Sequence, residues 1–114
     1  MSTSAMISGI DRAHYAEPVD EARVRADWAR EDFTFGVFRD PAGQEWNDFV
    51  HDTDEYVVVA RGRMKVAVGC DTFEAAPGDR IRIPAGVVHS LKTLSDTGSV
   101  WFYGYGRAAG GGDG

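Results

Sequence analysis

One cysteine, Cys70, in 114 residues leaves no internal disulfide framework. A chain held together without disulfides is expected in a reducing compartment, here the cytoplasm. Basic charge is also scarce: 12 Lys and Arg stand against 18 Asp and Glu, for a net charge of -6, and the basic residues are scattered among acids rather than gathered into a stripe. Phosphate backbones need such a stripe, so nucleic acid is not an expected partner. No apolar run approaches the length that spans a bilayer, and Met1-Ser-Thr-Ser-Ala5 lacks a charged start followed by an apolar stretch, so no membrane association is expected. There is no phosphate-binding loop, no Ser-centred nucleophile elbow and no CxxC pair.

What is present is β-forming sequence cut by frequent turns. Thirteen Trp, Tyr and Phe residues are enough to fill one small core, and the length suits one domain. Val24 and Trp28, four apart in the stretch after Pro18, predict a short helix lying on the outside of a sheet. After Asp32 the apolar period becomes two. Strands are expected around Phe33–Phe38, Trp46–His51, Tyr56–Val59, Met64–Val68, Phe73–Ala75, Arg80–Ile83, His89–Thr93 and Val100–Tyr105, with glycine-bearing turns between them. No helical alternation supports a parallel sheet. The fold class is therefore all-β, a small antiparallel sandwich or barrel with a short N-terminal helix. Residues 1–9 read as a flexible start, 10–107 as the domain and 108–114 as a flexible Gly-rich tail.

His51, Glu55 and His89 are the side chains that can carry chemistry. Two imidazoles and a carboxylate on separate strands make a facial set for a divalent metal with open positions left over. A carboxylate at Glu55, on the face shared with Val57 and Val59, is costly to bury without a cation. On residues alone a second reading stands beside this one: His51-Asp-Thr-Asp-Glu55 as a solvated acidic turn and His89 as a buried, hydrogen-bonded histidine. Asp52 and Asp54 read as solvated turn residues, His14 as a surface or packing residue, and Tyr103 and Tyr105 as core or interface rather than site.

Spacing adds a resemblance. Gly43, Phe49, His51, Glu55 and Gly62 fall on the first cupin pattern, and Gly78, Pro84, Gly86, His89 and Thr93 on the second, across roughly the central half of the chain. Phe49 replaces the first histidine of the pattern and Thr93 its last asparagine. The sequence thus resembles small single-domain bacterial cupins, which implies a jelly-roll barrel (double-stranded β-helix) with metal ligands at His51, Glu55 and His89 and with Phe49 and Thr93 lining the pocket. It further implies a divalent transition metal, Fe, Mn, Ni or Zn, and a small-molecule ligand or substrate. An enzyme of this kind would be an oxygenase, isomerase, lyase or decarboxylase; the alternative is a non-catalytic module that binds or senses a small ligand through a degenerate site. A homodimer is expected, with the apolar strand Val100–Tyr105 covering a sheet edge.

Overall fold

The computed structural model describes residues 6–108. In chain order these form β1 (Gly9–Asp11), α1 (Glu21–Arg30), β2 (Gly36–Asp40), β3 (Glu45–Phe49), β4 (Thr53–Arg61), β5 (Met64–Val68), β6 (Asp71–Ala75), β7 (Arg80–Ile83), β8 (His89–Thr93) and β9 (Ser99–Ala108). A five-stranded sheet runs β1-β7-β4-β9-β2 and a four-stranded sheet runs β3-β8-β5-β6. Every pairing is antiparallel. The two sheets face one another as a jelly roll.

Strand alternation decides what lies between them. Val57, Val59, Ile81 and Ile83 of the larger sheet meet Met64, Val66, Val68 and Leu91 of the smaller, none more than 3% exposed. Burying aliphatic side chains of this size stabilises the fold by about 1.5–3 kcal/mol each. The other face of the larger sheet carries Tyr56, Val58 and Phe102, and α1 covers it with Val24 and Trp28. Asp20 starts that helix, its carboxylate accepting from the backbone N–H groups of Ala22 and Arg23. Trp28 lies so close over β9 that a Cβ at Gly104 would stand 2.6 Å from the indole and 2.3 Å from the Thr34 carbonyl oxygen, so this strand position must be glycine.

Two features differ from the sequence-based expectation. β1 begins inside the stretch read as a flexible start: it pairs with β7, the Ile7 carbonyl accepts from Arg82, and the Asp79 carboxylate accepts from Arg12 and from the Ala13 backbone. Residues 1–5 and 109–114, which include most of the expected Gly-rich tail, lie outside the described residues. Second, β9 is no edge. It is hydrogen-bonded to β4 on one side and β2 on the other, with Trp101 and Phe102 each 3% exposed, so it does not offer the apolar surface on which a dimer was expected. Among the described residues no helix is long and apolar enough to cross a membrane.

One buried carboxylate ties the two sheets together. Asp40 Oδ2 accepts from the indole N–H of Trp101 on β9 and from that of Trp46 on β3, both at 2.9 Å. Replacing Asp40 with alanine strands both donors, and each stranded donor costs on the order of 1–3 kcal/mol. Asp40→Ala is expected to lower unfolding stability by about 2–4 kcal/mol; urea denaturation, read as a drop in midpoint at unchanged slope, measures it.

Candidate metal centre

His51 precedes β4, Glu55 lies near its start and His89 opens β8, so the larger sheet supplies the carboxylate and the smaller sheet one imidazole. Their approach is fixed by backbone. The Pro84–Val87 turn that delivers His89 is fastened to the His51 segment twice: Gly86 N–H donates to the His51 carbonyl at 2.8 Å, and Ala85 N–H donates to Asp54 Oδ1 at 2.9 Å. Gly86 makes the first of these with a φ of +82°, a conformation that costs glycine nothing. Asp54 is therefore a structural tie between two site-bearing segments rather than a solvated turn residue.

The three side chains converge. Ligand-capable atoms of His51, Glu55 and His89 all lie within 4.8 Å of one another. Glu55 Oε1 is 3.2 Å from His89 Nε2 and 3.8 Å from His51 Nε2. Ligands held about 2.1 Å from a common ion sit about 3.0–3.5 Å apart, so the observed set needs only a small inward movement to hold one. The side chains of Glu55 and His89 are 4% and 2% exposed, whereas His51 is 32% exposed and gives the centre its opening to solvent.

Protonation favours the same reading. His89 Nδ1 lies 3.1 Å from the Val87 carbonyl oxygen, an acceptor, so the neutral ring carries its hydrogen on Nδ1 and turns the Nε2 lone pair toward Glu55. This is how metal-binding histidines are commonly oriented. Opposite a neutral His89, Glu55 Oε1 is buried and receives no hydrogen bond among the described residues; a protonated His89 donates to it across 3.2 Å. Lone pairs of a buried carboxylate and a buried imidazole face each other at short range, an arrangement that calls for a cation between them. The residues present therefore fit a divalent metal.

Phe49 stands opposite His89 across the β3–β8 ladder, its ring centroid 6.2 Å from that of His51 and 6.4 Å from that of His89. It borders the centre by a route the alternation did not foresee. Asp48 is left-handed at φ 57°, its N–H donates to Ser90 Oγ, and the register shifts between Trp46 and Phe49. This bulge puts Trp46 and Phe49 side by side, with centroids 6.1 Å apart, and turns Asn47 outward. Thr93 does not join the centre. It lies at the far end of β8, is 1% exposed and shares a hydrogen bond of 2.7 Å with Ser99. Tyr105, set aside as core or interface, does join it: it pairs with Glu55 across β4 and β9 and stands edge-on to His51 at 5.0 Å. Burial and the Glu55 charge push its hydroxyl up to about 12. Aromatic residues at period two look alike whether they fill a core or border a site, so the sequence held no signal for it.

A two-histidine, one-carboxylate centre inside an antiparallel jelly roll defines the class: a small β-barrel able to hold a metal. Residues 36–104, more than half of the chain, match the Cupin domain family, and the chain belongs to that family. An uncharacterized protein of Streptomyces coelicolor is 33% identical over 61 residues, 54% of this chain and 58% of the relative, so the match spans less than two thirds of that relative's length. Among solved structures, an RmlC-like cupin from Shewanella frigidimarina superposes with a TM-score of 0.60 at 19% identity over 66% of each chain. Salicylate 1,2-dioxygenase from Pseudoaminobacter salicylatoxidans, solved as adducts with gentisate, gives 0.59 at 21% identity over 66% of this chain and 20% of its own. At these identities the solved structures share the fold.

The metal-free centre has its own pH signature. Burial works against a charged His89, but the Glu55 carboxylate and the Val87 carbonyl outweigh it and raise the pKa above the ordinary 6.5. The folded state thus holds a proton that the unfolded chain has released. That stabilisation is complete below pH 6.5 and is lost as pH rises through the raised pKa. Thermal unfolding of chelated protein across pH 6–9 is expected to show Tm falling with pH, and His89→Gln to flatten that slope.

Proposed function

We propose that this chain binds a divalent transition metal through His51, Glu55 and His89 and presents it to a small oxygen-bearing metabolite. The observation that carries this is the convergence of three donor atoms on one point with Glu55 Oε1 left without a hydrogen bond. Imidazole and carboxylate donors suit Fe, Mn, Ni or Zn. Such an ion, when bound, polarises an oxygen donor of its ligand. The protein's own part is to fix the donors: the Val87 carbonyl sets the His89 tautomer, the Asp54 and Gly86 hydrogen bonds hold the two ligand-bearing segments together, and Tyr105 packs against His51. A same-fold protein solved with gentisate is a precedent for a small-molecule partner.

A second reading, a non-catalytic module that binds or senses the same kind of ligand, is favoured by one residue. Phe49 stands where the family pattern has its first histidine, so one donor is missing from the usual four. Three protein ligands are nonetheless a common set for centres that leave positions open to substrate.

Protein purified without chelator is expected to carry divalent metal near one equivalent per chain, and His51→Ala and His89→Ala to reduce it severalfold. Elemental analysis decides the matter: a double variant holding as much metal as the wild type overturns the reading. We also propose a homodimer, joined through one of the strands that end the sheet orders, β1, β2, β3 or β6, rather than through β9. Light scattering at micromolar concentration is expected to give twice the 12.4 kDa chain mass, and a monomer mass at every concentration rejects the dimer.

A further inference from the structure

Five large aromatics on the inner side of the barrel are only partly covered: Phe38, Trp46, Phe49, Tyr103 and Tyr105. With His51 they form a closed circuit of ring contacts. Centroid separations run 5.0 Å from His51 to Tyr105, 5.6 Å to Tyr103, 4.9 Å to Phe38, 5.5 Å to Trp46, 6.1 Å to Phe49 and 6.2 Å back to His51. Side chains of this size fill gaps when they serve only as core. Here Phe49, whose ring faces both histidine ligands, is 38% exposed, and Val50 and Val88, which adjoin Phe49 and His89 in sequence, are 55% and 51% exposed. Three of the four exposed large apolar residues among those described therefore belong to the two chain segments that carry Phe49 and His89.

We infer that the centre selects a flat, apolar, preferably aromatic molecule bearing an oxygen-donor head, with Phe49 as the residue that recognises the ring. The head takes the open metal positions, and the ring lies against Phe49 at the exposed apolar mouth. This inference rests on the metal reading above, and the test separates the two.

Acetohydroxamate and benzohydroxamate present the same monoanionic head and differ in the body attached to it. Titrated into Co(II)-loaded protein and followed by the cobalt visible spectrum, benzohydroxamate is expected to bind at least about tenfold more tightly, since a buried ring contact and its apolar area together exceed the free energy of a tenfold step. Phe49→Ala, at a half-exposed position where folding is not at stake, is expected to bring the two affinities, measured on protein loaded with Co(II) to the same occupancy, within about threefold of each other. Equal affinities in wild-type protein overturn the inference and leave the metal reading standing. A preference that survives Phe49→Ala overturns the role given to Phe49. Failure to take up Co(II) overturns both readings. Equal affinities together with a Phe49→Ala protein that falls from dimer to monomer in light scattering assign the aromatic circuit to a second copy of this chain instead.

Discussion

A carboxylate buried in an apolar barrel is the constraint on which the rest of this structure turns. Glu55 is 3% exposed as a residue, its strand neighbours on the inner face are Val57 and Val59, and among the described residues no donor satisfies Oε1 while His89 is neutral. Leaving a charged oxygen in that state is far costlier than leaving a neutral one, so something positive must complete it. The near groups are two imidazoles. One of them, His89, is held by Val87 so that its neutral ring offers Glu55 a lone pair rather than a hydrogen. A proton can fill the gap in the metal-free protein, and a divalent ion fills it better because it satisfies all three lone pairs at once.

The fold answers that constraint by making the ligand-bearing segments brace one another. Glu55 and His89 belong to different sheets, so any slippage between the sheets would pull the donors apart. Slippage is resisted at both ends. At the site end the turn before β8 is bonded to the His51 segment and to Asp54; away from it, Asp40 accepts from one tryptophan of each sheet. Between these ties lies the close-packed aliphatic layer, which transmits position because it has few ways to rearrange. Outside the larger sheet, α1 adds a second apolar layer under Trp28.

Much of this was legible in the sequence, for reasons that can be named. Strand alternation and turn glycines are local, so β5, β7, β8 and the face shared by Val57, Val59, Ile81 and Ile83 could be read directly. Val24 and Trp28, four apart, placed the helix and its buried side. The triad was legible only through spacing across two motifs, because Glu55 alone looks like any other acid in an acidic turn. What stayed hidden depends on pairing. A bulge at Asp48 needs the partner strand to show that one residue is extra; β9 looks like a sticky edge until it is found between β4 and β2; and Thr93, which shares an alternation face with His89, is carried four residues along the strand to the opposite end of the core. Tyr105 reaches the centre because it pairs with Glu55, a fact of register rather than composition.

Phe49 is where the resemblance and the geometry meet. Losing an imidazole from a four-ligand set weakens the hold on a metal, and if the centre had become mere packing, the expected change would be the loss of the remaining polar groups as well. Glu55 and His89 are the groups most expensive to keep in an apolar interior, and both remain buried. Phe49, by contrast, has not been drawn into the core: it stays exposed beside two imidazoles, with its ring roughly parallel to that of His51 at an interplanar angle of 14°. A phenyl ring there gives up one donor and adds a flat apolar surface next to the open metal positions. On the metal reading proposed above, Phe49 therefore marks a change in what the centre accepts rather than decay of the centre itself.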